Sequence, residues 1–163
     1  MSRKIVALAA LTLAFSALTG CGTTPAATGL QNKTASTATA QDYSSVSRAK
    51  QIATDALYRY DSLRDDWQRA YNDSEKDRIE QSMLNVLTRA ASDVRQTASY
   101  GSGYDARRVY DIADRAIRKY EDLRYRWQQA YGDREKRELI NDMLVVLTQA
   151  LKDVQRVRTG WGM

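Results

Sequence analysis

The side chains best equipped for chemistry form a set that occurs twice. Tyr60, Arg64, Trp67, Gln68 and Tyr71 are matched, at an offset of 60, by Tyr120, Arg124, Trp127, Gln128 and Tyr131. Arg64 and Gln68 are four residues apart and so are neighbours on a helix face. Trp, Tyr and Arg are the types that most often anchor interfaces. The set therefore admits two readings. It is an aromatic and guanidinium patch offered to a protein or glycan strand, or it is packing, with Tyr and Trp filling a bundle while Arg and Gln bond polar partners. The place of both tryptophans on an apolar seam favours packing. Near the carboxyl end, Trp161 stands alone between glycines, where it either hooks a partner or folds back.

Other reactive types are scarce. There is no histidine, the usual general acid–base group at neutral pH and a frequent metal ligand. With one cysteine and no histidine, zinc, copper and common haem sites lack their usual ligands. Met83 and Met143 are read as core fillers rather than soft ligands. Asp65, Asp66, Asp73 and Glu75 could form a carboxylate pair, but their counterparts at 60 residues' distance are Tyr125, Arg126, Asp133 and Glu135. The first two look like interchangeable surface charge and the second two like helix caps. No nucleophile elbow, phosphate loop or metal motif occurs. The chain is read as non-catalytic, with no cofactor and no metal.

The lone cysteine, Cys21, follows Leu18-Thr19-Gly20. Ahead of it come Arg3 and Lys4, then 14 residues, Ile5 to Leu18, that are nearly all apolar or small. A basic start, a short apolar run and small residues at the end make a secretory signal peptide, too short to span a bilayer, which needs about 20 residues. Residues 1–21 closely resemble the signal and lipobox of bacterial lipoproteins. That resemblance implies cleavage before Cys21, a lipid on its sulfur and acylation (palmitate among the expected chains) of the new amino terminus. With Gly22 rather than Asp after the cysteine, it further implies delivery to the outer membrane, facing the periplasm, or to the outer face of the cytoplasmic membrane where a cell has only one.

These features need a scaffold, and the chain supplies it by duplication. Residues 22–41 are small and polar with a single Pro25, and are read with Cys21 and Asp42 as a flexible tether. Residues 48–96 and 108–156 then align without a gap, with 22 of 49 pairs identical. In the first arm Val46, Ala49, Ala53, Ala56, Tyr60, Leu63, Trp67 and Ala70 recur at spacings of three and four, the mark of one helical seam. Second arms carry Ile79, Met83, Leu84, Val86, Leu87, Ala90 and Val94, and their matches Leu139 to Val154, with Val145 and Leu151 broadening the last stripe. Turns are expected at 71–76 and 131–136, with Asn72 or Gly132 in the left-handed conformation and Asp73 or Asp133 capping the next helix. Tyr100-Gly101-Ser102-Gly103-Tyr104 separates the copies, with Ser102 or Asp105 as a cap.

The expected fold is all-α: two helical hairpins, 43–98 and 104–158, packed as an antiparallel four-helix bundle after a disordered tether. Exchange of hairpins between two chains, hinged at 97–104, would give a homodimer. The formal charge of +5 falls to +3 without Arg3 and Lys4. Basic residues of the third helix, Arg107, Arg108, Arg115, Arg118, Lys119, Arg124 and Arg126, interleave with Tyr110, Tyr120 and Tyr125, as a single-stranded nucleic-acid groove would. Five acidic residues among them (Asp105, Asp111, Asp114, Glu121 and Asp122) favour a solvated, salt-bridged face instead. The function expected is an accessory or structural module of a pilus, secretion, transport or wall-associated machine, with an envelope protein as partner. The alternative is a ligand or nucleic-acid binder, as in DNA uptake.

Overall fold

The computed structural model describes the backbone of residues 31–158 and the side chains of residues 43–158. The signal segment, Cys21 and Trp161 lie outside these residues. Four helices follow in order: α1 (Gln31–Arg69), α2 (Asp73–Ser99), α3 (Tyr104–Gln129) and α4 (Asp133–Arg156). No strand occurs among the described residues. The helices pack as an antiparallel four-helix bundle, α1 beside α2 and α4, and α3 beside α2 and α4. None is long and apolar enough to cross a membrane.

Helix α1 starts at Gln31, so residues 31–42, assigned by composition to the tether, are helical. The stretch holds Ala35, Ala38 and Ala40 and neither Gly nor Pro. Extending an existing helix adds a hydrogen bond per residue without a second nucleation step. At 39 residues α1 measures about 58 Å.

Both hairpin turns place the N-cap one residue earlier than expected, but only the first carries a side-chain cap, since Gly132 makes no side-chain cap bond. Asn72 is the N-cap of α2 and its Oδ1 accepts the Glu75 N–H at 2.7 Å. Its φ of −135° is extended, and Gly132, N-cap of α4, has φ −100°. Neither residue is left-handed, because each serves the helix that follows rather than the helix that ends, and N-caps sit in the β region. Asp73 and Asp133 thus open the helices as first-turn anions, favourable at the positive end of the helix dipole, instead of capping them. The cap of α3 is Gly103, not Ser102 or Asp105, with Asp105 in the first turn.

The core grades along its length. At the end holding the 100–103 loop it is small: Ala49, Ala53, Ala98, Ala106 and Ala113 are buried with Val46, Val94, Val109 and Val154. Toward the hairpin turns it is bulky: Ile79, Met83, Leu84, Leu123, Leu139 and Met143 are buried, while Tyr60, Leu63, Trp67, Tyr120 and Trp127 are only half-buried. Small residues let helices approach closely, and bulky ones require a wider spacing. Leu151 is buried as expected, but Val145 is 65% exposed, because it sits outside the seam, in the place of exposed Asn85 in the first copy.

A pseudo-two-fold relates the copies. Arg95 Nη1 meets Asp114 Oδ1 at 3.3 Å, joining α2 to α3. Sixty residues away in each direction, Gln155 Nε2 donates to Thr54 Oγ1 at 2.9 Å, joining α4 to α1. One seam is tied by an ion pair and the equivalent seam by a neutral amide–hydroxyl bond.

Candidate functional site: the aromatic end of the bundle

The antiparallel arrangement brings both hairpin turns to one end, away from the 100–103 loop and the described ends of the chain. There the repeated set divides. Tyr71 is 100% exposed and Tyr131 99% exposed. They do not fill the bundle, as the packing reading required. Each follows the last residue of the seam, Ala70 or Ala130, on the three-residue link between helices, where no neighbouring helix covers it. Tyr60, Trp67, Tyr120 and Trp127 pack against the core as that reading expects.

The polar members divide too. Arg64 pairs with Asp61 at 3.4 Å on the exposed face of α1, and its guanidinium carbon stands 6.0 Å from the Tyr60 ring centre. Arg124 and Gln128 line a cleft instead. Asp66 pairs with Arg69 at 3.1 Å on the surface, in keeping with the expected role of that group as surface charge. No cluster of three or more carboxylate or sulfur ligands suited to a metal is present among the described residues.

Sequence reasoning missed two features. Lys76 Nζ lies 5.2 Å from the Trp67 ring centre, and Lys136 Nζ lies 5.9 Å from that of Trp127. Each lysine, from the first turn of the second helix, covers the tryptophan of the first with a cation–π contact. The signal was available: Lys76 and Lys136 are an identical pair at the repeat offset. The second feature is a difference between the copies. Trp67 Nε1 donates to Glu80 Oε1 at 3.0 Å. The counterpart of Glu80 is Ile140, and buried Trp127 Nε1 has no acceptor among the described residues.

Burial raises the pKa of Glu80, helped by Asp77 and opposed by the Trp67 bond and Arg137. The folded chain therefore holds this proton to a higher pH than the unfolded chain. The resulting stability is fully present below 4.5 and is lost as pH rises through the elevated folded value. Glu80→Gln keeps an acceptor for Trp67 and removes the ionisation. Urea unfolding at pH values from below 4.5 to neutrality should show a flatter pH dependence for the variant than for the parent, with the variant gaining relative to it as pH rises. Parallel profiles would show that Glu80 ionises freely.

Two contiguous hollows flank Trp127. The larger, about 1060 Å³, is an open trough along α2 reaching α1, α3 and α4. A smaller one of about 370 Å³ continues toward the turns, past Glu80 and Lys136. They share Gln81, Leu84, Trp127 and Ile140. The chain matches no protein-family model, no curated protein and no solved structure.

Proposed function

We propose that this chain is an envelope lipoprotein that works without catalysis as a protein-interaction module. Lipid on Cys21 holds its amino end at the outer membrane, on the periplasmic side, and the aromatic end of the bundle engages another envelope protein. The observation that carries this reading is the pair of fully exposed tyrosines, Tyr71 and Tyr131, presented together at the end remote from the start of α1. Large aromatic side chains left wet at one pole are costly for a structural role and typical of interface anchors. The length of α1, about 58 Å, serves to hold that pole away from the bilayer.

A photo-crosslinking residue placed at 71 or at 131 in living cells tests it. Both positions should label the same partner, and position 58, whose tyrosine is 78% exposed on the side of α1, should not. Replacing Tyr71 and Tyr131 together with Ala should reduce recovery of that partner about tenfold or more. No reproducible partner, or equal labelling from 58, would overturn the reading.

A further inference from the structure

The twin tryptophans show what the trough is built to hold. In the first copy the indole N–H of Trp67 is taken by a carboxylate, that of Glu80. In the second copy Ile140 stands in that place, and the shielded N–H of Trp127, a residue that lines both hollows, has no acceptor among the described residues. Thr88 Oγ1 also has no partner among the described residues, but so has its counterpart Thr148 Oγ1, which lines neither hollow, so the threonines do not mark the trough. Three arginines from three helices, Arg59, Arg89 and Arg124, line the same trough, and none is paired with a carboxylate among the described residues. Asp55 and Asp93 also line it, so the excess is one positive charge.

We infer that this trough along α2 binds an acidic peptide segment of a partner protein, one carboxylate of which is held by Arg124 and the Trp127 indole N–H. The inference deepens the interaction reading given above and rests on it. A carboxylate suits a guanidinium that can bond it twice, and it repeats the contact that Glu80 makes within the first copy. The indole N–H is shielded from solvent, so binding of the carboxylate requires the side chains around it to shift. The form of the trough selects a segment over a small acid. Ligand pockets enclose most of a small molecule, whereas this hollow is only half enclosed, with the half-buried Ile52 and Val86 available to apolar side chains alternating with the acids.

The test uses the full chain, labelled with nitrogen-15, in detergent micelles. The probe is a twelve-residue peptide alternating glutamate and leucine, with an alternating lysine–leucine peptide and decanoate as comparisons. Indole signals are assigned by Trp→Phe variants. The glutamate peptide should move the Trp127 indole signal downfield and leave that of Trp67, already bonded to Glu80, in place. Arg124→Ala should weaken the peptide about tenfold or more, while Arg108→Ala, at the other end of α3, should not. A stationary Trp127 signal, an equal response to the lysine peptide or to decanoate, or unchanged affinity in Arg124→Ala would overturn the inference. Failure here with crosslinks from 71 and 131 intact leaves the interaction reading standing. Loss of those crosslinks with the Trp127 response intact sinks that reading and, with it, the assignment of the peptide to a partner protein, while the carboxylate contact itself stands.

Discussion

Leu87→Ala and Leu147→Ala are each expected to lower the unfolding free energy by about 3 to 5 kcal/mol. The two leucines are repeat counterparts, each with 0% exposure. Truncation removes the buried methyl groups and leaves a hole that a close-packed bundle fills only in part. Domains of this size are stable by roughly 5 to 15 kcal/mol, so the double variant should lose most of its cooperative transition. Val145→Ala, on the exposed side of α4, serves as the contrast and should stay within about 0.5 kcal/mol of the parent. Urea unfolding followed by circular dichroism reads all four proteins. A cost below about 1 kcal/mol at either leucine would mean that the two halves do not share a core.

That core was legible because the duplication reports the same pattern twice. Val46, Ala49 and Ala53 with Ala106, Val109 and Ala113 mark one buried stripe independently, and every one of them is buried. The caps were legible to within a residue, with Asn72 and Gly132 one place ahead of those expected, but the turns expected over 71–76 and 131–136 are only 70–72 and 130–132. What periodicity could not give is the fate of residues where a stripe runs out. Tyr71 and Tyr131 continue the aromatic pattern by type, yet they lie past the last helical turn, where no facing helix exists to cover them. Nor does a one-dimensional pattern state which side chain of α2 meets Trp67. The Glu80 contact depends on the relative heights of two helices, and the difference between Glu80 and Ile140 gains meaning only once that contact is known. The backward extension of α1 to Gln31 escaped because its Thr and Ser residues make a composition common in linkers, while helix continuation depends on the turn already formed.

Cys21→Ser should have the largest effect on where the protein is found. Under the lipoprotein reading, the parent extracted from membranes lacks residues 1–20 and carries the mass of several acyl chains. Each buried methylene adds about 0.8 kcal/mol, so two or more chains make attachment effectively permanent. The variant offers no sulfur for the lipid. It should retain all 163 residues, carry no acyl mass and be absent from the outer-membrane fraction. Its apolar run of 14 residues falls short of the roughly 20 that a span needs, so the uncut signal is no substitute for the lipid. Intact-mass measurement on fractionated cells settles the matter. A parent protein that keeps residues 1–20, or whose Cys21 thiol still reacts with a maleimide, would refute lipidation.

The two seams of the bundle are tied differently, and this bears on how halves choose companions. Should the first hairpin of one chain settle against the first hairpin of another, Arg95 would confront Thr54 and its charge would go unanswered. If two second hairpins met, Gln155 would confront Asp114, leaving that carboxylate only Arg118 from its own helix. Like-with-like assembly thus loses the Arg95–Asp114 pair at both of its junctions, whereas unlike halves keep it, whether they come from one polypeptide or are traded between two. The two copies, identical at 22 of 49 aligned positions, differ at the places where a companion is told apart.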